Sequence, residues 1–184
     1  YARLHLRLFP FFWSHAKRIA VDGRPIARAF GLAFPELGVH PDDQYMLGDE
    51  LLAAPVVTAG QTRRDVILPP GDWLDWFDGN VHSAPIGGPR TVTVDAPLGK
   101  APLFLRRGAI VPMLRPTIDT LSKVADPTKV DSLDSGKGFL WARAFAARSG
   151  VTSFALWDGS AITIERDAAA VTVDLGAARA PEPS

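Results

Sequence analysis

The sequence predicts a mainly β protein, an antiparallel sandwich preceded by a helical segment, and three observations carry that prediction. Sixteen glycines and 16 prolines among 184 residues punctuate the chain with turns. Short apolar or alternating runs of strand length recur from Asp65 to Leu175. Ahead of them, residues 1–22 repeat apolar side chains at helical spacing.

The helix comes first. At 100° per residue, Arg3, Arg7, Ser14, Lys17 and Arg18 fall within a polar arc of roughly 100°. Leu4, Leu8, Phe12, Ala16 and Ala20 form an i+4 row on the other side, widened by Phe9, Phe11, Trp13 and Ile19. A face so broad and aromatic needs a large neighbour. Pro10 cannot bond the Leu6 carbonyl, so it should kink or divide the helix. Asp22-Gly23 supplies the stop, with Gly23 as a left-handed cap.

Pro25–Phe30 then reads as a short strand and Pro35–Asp43 as a loop. The stretch Asp43–Val57 is the hinge between the helical and β regimes. It passes through the acidic turn Gly48-Asp49-Glu50 into Leu51–Val57, an apolar run suited to a strand buried on both faces. Strands are expected at Asp65–Leu68, Trp73–Phe77, Thr91–Asp95, Leu103–Arg106 and Ala109–Met113. Thr91–Asp95 alternates as a half-buried strand should. From Leu114 to Gly138 apolar density falls and Ser, Asp, Lys and Thr accumulate, which reads as a linker or long loop. Four more strands follow at Phe139–Phe145, Thr152–Trp157, Ala161–Glu165 and Ala170–Leu175, with Asp158-Gly159 as a hairpin turn. The tail Ala180–Ser184 is expected to fray. No internal repeat is visible.

The totals exclude several functions. Twenty basic residues balance twenty acidic ones, which argues against nucleic acid or an anionic membrane surface as the main partner. No apolar run approaches the ~20 residues that span a bilayer. Without cysteine there is no disulfide, thiolate chemistry or Cys-ligated zinc, and compartment is left open. The chain starts at Tyr1 with no leader pattern, so it is expected to be a piece of something longer.

Paired carboxylates are the chemistry of glycoside hydrolysis, and the chain has three acidic clusters that could supply them. Asp42-Asp43, Asp49-Glu50 and the trio Asp72, Asp75, Asp78 all sit in turn contexts, and turn or cap roles are preferred for each. Asp75 between Trp73 and Trp76 is the most suggestive, since aromatic faces beside a carboxylate suit a sugar ring. Those three are the substrate-binding candidates. Alternation puts Trp73, Asp75 and Phe77 on one face and Leu74 and Trp76 on the other, so a sandwich would bury them. His5 and His15 lie on the apolar helix face and His40 and His82 in loops; no pair has metal spacing, and no metal or cofactor is expected. Arg106-Arg107 before Gly108 reads either as a positioning pair or as two ordinary exposed arginines at a strand end, and the ordinary reading is preferred.

Four blocks taken in order carry a resemblance. They are Arg7-Leu8-Phe9-Pro10-Phe11-Phe12; Gly23–Phe30 with Phe34-Pro35; Asp43–Val57; and Leu68–Trp76 paired with Ala96-Pro97-Leu98 and Pro102–Pro112. Together they resemble the C-terminal part of a glycoside hydrolase family 31 enzyme, the α-glucosidase and α-xylosidase group. The helix departs by having Phe11 and Phe12 where the family usually has tyrosines. Beyond Pro112 the likeness thins to Phe154–Gly159, similar to the family's Leu-Tyr-Asp-Asp-Gly with one Asp missing.

The resemblance implies that residues 1–42 are the last helix and strand of a catalytic (β/α)₈ barrel and 43–114 a proximal β-sandwich. Residues 115–184 would be a linker, with 139–175 completing that sandwich or beginning a distal one. It implies a parent that is a retaining α-glycosidase acting on α-glucosides, oligosaccharides or related sugars. The two catalytic carboxylates and the substrate-gripping residues would lie on barrel strands before Tyr1, leaving this chain inert. The rivals are a carbohydrate-binding sandwich using Trp73 and Trp76, and an interaction module whose helix face meets a partner.

Overall fold

The structure, a computed structural model, describes residues 2–136, 139–168 and 170–176; the tail expected to fray lies outside them. It is mainly β, with antiparallel sheets. The helical segment is divided, as Pro10 requires. Helix α1 spans Ala2–Arg7 and α2 spans Phe9–Asp22, with Pro10 in the first turn of α2, where a missing N–H costs nothing. Gly23 caps α2 in the left-handed region at φ 67°, its N–H donating to the Ile19 carbonyl. The buried face differs from the expected row. It runs Leu8, Phe11, Ser14 and His15, while Ala16 and Ala20 face solvent. Ser14, placed in the polar arc by sequence, is buried because its hydroxyl donates to the Pro10 carbonyl at 2.8 Å and needs no water.

Strand β1 (Ala27–Ala29) leads into a short helix α3 (Phe30–Ala33) and a 3₁₀ turn at Pro35–Leu37. The hinge resolves into β2 (Tyr45–Leu47) and β3 (Leu51–Ala53), an antiparallel pair around Gly48. The later strands are β4 (Arg63–Leu68), β5 (Gly71–Asp75), β6 (Val81–Ala84), β7 (Arg90–Asp95), β8 (Leu103–Arg106) and β9 (Ala109–Met113). After the loop come β10 (Trp141–Phe145), β11 (Gly150–Ala155), β12 (Ala161–Arg166) and β13 (Val171–Leu175).

A six-stranded sheet in the order β1-β2-β3-β8-β5-β6 is the middle layer. Its side chains alternate between two cores. Met46, Leu52, Trp73 and Phe104 point to one face and meet Val66, Leu68, Val92 and Val94 of the β4–β7 pair. Leu51, Ala53, Leu103 and Leu105 point to the other, where they meet Leu8 and Phe11 of the helical segment, β9, and Phe154, Ile162 and Ile164 of the β11-β12-β13 sheet. Leu51, Leu52 and Ala53 are therefore all buried, because the sheet is covered on both sides. Strand β1, read by sequence with the unit before residue 43, is hydrogen-bonded antiparallel to β2, Arg28 opposite Met46.

Of residues 114–138, read as a linker or long loop, the described part, 114–136, is tied down by side chains. The Arg115 guanidinium grips the Asp131 carboxylate and the Ser132 carbonyl, and Ile118 is fully buried. The Leu114 N–H donates to the Arg7 carbonyl at 2.7 Å and Arg3 pairs with Asp119 at 2.9 Å, so the loop is stitched to the helical segment.

Candidate functional site

The candidates Trp73, Asp75 and Trp76 do come together, at the end of β5, and each is spoken for. The Trp73 ring is fully buried in the core beneath β4 and β7, and its indole N–H donates to the Pro69 carbonyl at 2.9 Å. Trp76 is buried in the opposite core with the Arg143 guanidinium 4.4 Å over its ring. The alternation read from sequence is correct for this pair. Asp75 ends the strand: its carboxylate accepts from the Phe77 N–H at 2.7 Å and the Asp78 N–H at 3.3 Å, turning the chain. Its second oxygen is buried without a hydrogen bond among the described residues, with the Lys100 ammonium 3.7 Å away. Neither indole presents a face on which a sugar can lie.

The other acidic residues are likewise engaged. Asp72 accepts from the Ser83 hydroxyl at 2.6 Å, from Arg107 Nε at 2.6 Å and from Arg148 at 2.8 Å. The Ser83 hydrogen bond, then Arg107 and Arg148, hold its carboxyl down at about 2 against the opposing effect of burial. Arg107, read as an ordinary exposed arginine, is instead half of this hub. Its guanidinium lies 3.9 Å over the Phe145 ring, and its backbone N–H donates to the Asp72 carbonyl at 2.9 Å. Sequence reasoning missed it because Asp72, Arg107 and Arg148 lie far apart in the chain; two arginines before a glycine carry no signal of a partner.

The hinge turn forms a second cluster. Arg28, buried, hydrogen-bonds the Asp49 carboxylate and the Gly48 carbonyl, while Arg24 stands 3.4 Å from Asp49. Burial raises the Asp49 pKa, but the Arg28 hydrogen bond and the nearby arginines outweigh it and hold the carboxyl below its ordinary value. His15 Nε2 lies 3.1 Å from Glu50 Oε2, and the imidazole packs edge-on against Phe11 and Phe154. The turn and cap reading of these acids fits their partners. His5 and His40 are exposed and His82 packs edge-on to Phe104. Among the described residues no group of three or more His, Asp or Glu is placed to hold a metal ion, and no helix is long and apolar enough to cross a membrane.

The geometry is that of a helix clamped onto a sandwich by buried aromatics and ion pairs. Comparison with known proteins gives that arrangement its context. Residues 23–111 match the glycosyl hydrolase family 31 C-terminal domain. An isomaltosyltransferase of Sporosarcina globispora is 36% identical over 117 residues, covering 61% of this chain and 10% of that protein. The family 31 dextranase of Flavobacterium johnsoniae, solved with isomaltotriose, superposes over 95% of this chain and 22% of its own at TM-score 0.74 and 26% identity. A cycloalternan-forming enzyme of Listeria monocytogenes, solved with a pentasaccharide substrate, gives TM-score 0.73 and 31% identity over 92% of this chain and 16% of its own. The chain thus spans about a tenth of the curated relative and about a fifth of the solved ones. Sequence and fold together make the chain similar to a C-terminal portion of glycosyl hydrolase family 31, with the family's C-terminal domain matched over residues 23–111.

Proposed function

We propose that this chain is the non-catalytic C-terminal scaffold of a retaining α-glycosidase acting on α-glucosides or related sugars. The observation that carries the reading is how the acids are used. A retaining enzyme needs two carboxyl groups about 5 Å apart across an open sugar site, one as nucleophile and one as acid and base. Here Asp49, Asp72 and Asp75 are instead held by arginines, lysine or backbone amides, and Glu50 by His15. The catalytic pair belongs on a preceding (β/α)₈ barrel whose last helix and strand are residues 1–42. Two features support that placement: Trp13, Ile19 and Val21 on α2 are exposed, and β1 lies at the edge of its sheet. Residues 43–114 form the proximal sandwich, and 139–175 complete it, since β10 pairs with β9 and Phe154 shares a core with Leu105.

The relatives' names cover both transfer and hydrolysis, and one intermediate serves both. A covalent glycosyl-enzyme is resolved by water in a hydrolase and by a sugar hydroxyl in a transferase. The test is direct: the 184-residue chain, incubated with an aryl α-glucoside, is expected to release no phenol above the uncatalysed rate. Measurable turnover, lost on substitution of a residue of this chain, refutes the scaffold reading.

A further inference from the structure

The two buried tryptophans leave an opposite case elsewhere. Trp141 on β10 and Trp157 at the β11–β12 hairpin tip are 53% and 37% exposed, and both line one pocket of about 610 Å³, with Phe139 at its edge. That volume lies within the range of small-molecule sites, about 300–1,000 Å³. Among the described residues neither indole stacks on another ring or a cation, whereas Trp76 lies under Arg143 and Trp13 under Lys17. Both indoles keep part of their surface open to the pocket.

The polar groups of the pocket narrow the ligand. Asp158 sits beside Trp157 at the hairpin tip, and its carboxylate accepts from the Ser160 N–H at 2.9 Å and hydroxyl at 2.6 Å, which fixes its orientation. Burial raises the Asp158 pKa, but those Ser160 hydrogen bonds outweigh it and keep the group ionised. Among the described residues the lining carries the Asp158 carboxylate and neither lysine nor arginine. Phosphorylated and acidic ligands are therefore repelled. What fits is a neutral molecule with flat C–H faces for the indoles and hydroxyls to donate to a carboxylate, which describes a pyranose.

We propose that this pocket is a sugar-binding subsite that holds the end of a neutral α-glucan on Trp141 and Trp157, with Asp158 accepting from a ring hydroxyl. It lies apart from Trp73 and Trp76, where sequence placed the carbohydrate candidates. The α-linkage rests on the functional reading above; the pyranose class rests on the pocket. Bound there, a polysaccharide is tethered to a domain with no catalytic group of its own, which raises the local concentration of substrate for the rest of the enzyme.

The test titrates the 184-residue chain with isomaltotriose, maltotriose and cellotriose, following tryptophan fluorescence and heat. The expected result is saturable binding of an α-linked triose, weakened at least about tenfold by Trp141→Ala or Trp157→Ala and unchanged by Trp13→Ala. Asp158→Asn, at an exposed turn, is a second variant that should weaken binding without disturbing the core. A thermal melt of each variant checks folding. Silence with all three sugars, or binding indifferent to these substitutions in folded variants, overturns the pocket. Binding of cellotriose alone overturns the α-glucan assignment, and with it the support drawn from the functional reading.

Discussion

Substituting Asp72 with Asn keeps the shape of the side chain and its hydrogen bond from Ser83 while removing the charge that Arg107 and Arg148 neutralise. With an ordinary value near 3.9 in the unfolded chain and about 2 in the folded one, the carboxylate's linkage contribution is at most ~2.5 kcal/mol. Arg148 is 75% exposed and its share is screened by water, so a working figure is ~1–2 kcal/mol. The folded pKa is depressed. The stabilisation is thus complete above the unfolded value and is lost as pH falls through about 2. Urea unfolding of wild type and Asp72→Asn at pH 7, 4 and 2.5 measures this. The difference should be ~1–2 kcal/mol at pH 7, shrink below pH 4 and be least at pH 2.5. Taking the difference cancels other carboxylates, such as Asp131, that titrate in the same range. A difference that stays constant from pH 7 to 2.5, or is already below ~0.3 kcal/mol at pH 7, would refute the charge hub.

Gly48→Ala should destabilise the chain by more than ~2 kcal/mol in urea unfolding, because φ is +59° and the new methyl would lie 2.1 Å from Glu50 Oε2 and 2.5 Å from His15 Nε2. Gly31→Ala is the control and should cost less, since the atoms nearest the methyl there belong to the exposed and displaceable His40 ring. Phe11→Ala, at a fully buried ring packed 6.0 Å from Phe154, should cost ~3–5 kcal/mol and release α2, read as faster amide exchange at its backbone.

Most strands were legible because turn residues and period-two patterns sit at their ends, as in Arg90–Asp95, where Val92 and Val94 alternate with exposed neighbours. Strand β6, Val81–Ala84, was not foreseen. It carries one strong strand former, and it exists because β5 supplies its pairing. Strand β5 lies two residues before the stretch that the apolar pattern picks out, because the Asp75 carboxylate caps a turn at Phe77 and Asp78, a use of Asp that apolar pattern does not encode. The order in residues 114–136 was hidden for a similar reason: polar composition suggested a linker, and the Arg115–Asp131 grip joins residues that carry no local signal of each other. At the candidate site, alternation foretold the burial of Trp73 and Trp76 on opposite faces. It did not reveal that Trp141 and Trp157, separated by a hairpin, open onto one pocket.

The contact of Phe11 with Phe154 sets a condition on how the chain can be made. Joining two positions so distant closes a loop of roughly 140 residues, at an entropic cost of ~4 kcal/mol before any packing is gained. Helix α2 therefore has no complete seat until β11 has been synthesised. Its Phe11 face emerges from the ribosome before β11 and lacks the Phe154 contact while the intervening sheet is assembled. At ordinary translation rates of ~5–20 residues per second that exposure lasts on the order of ten seconds. For that interval the surface that later anchors helix to sandwich is open to aggregation or chaperone capture.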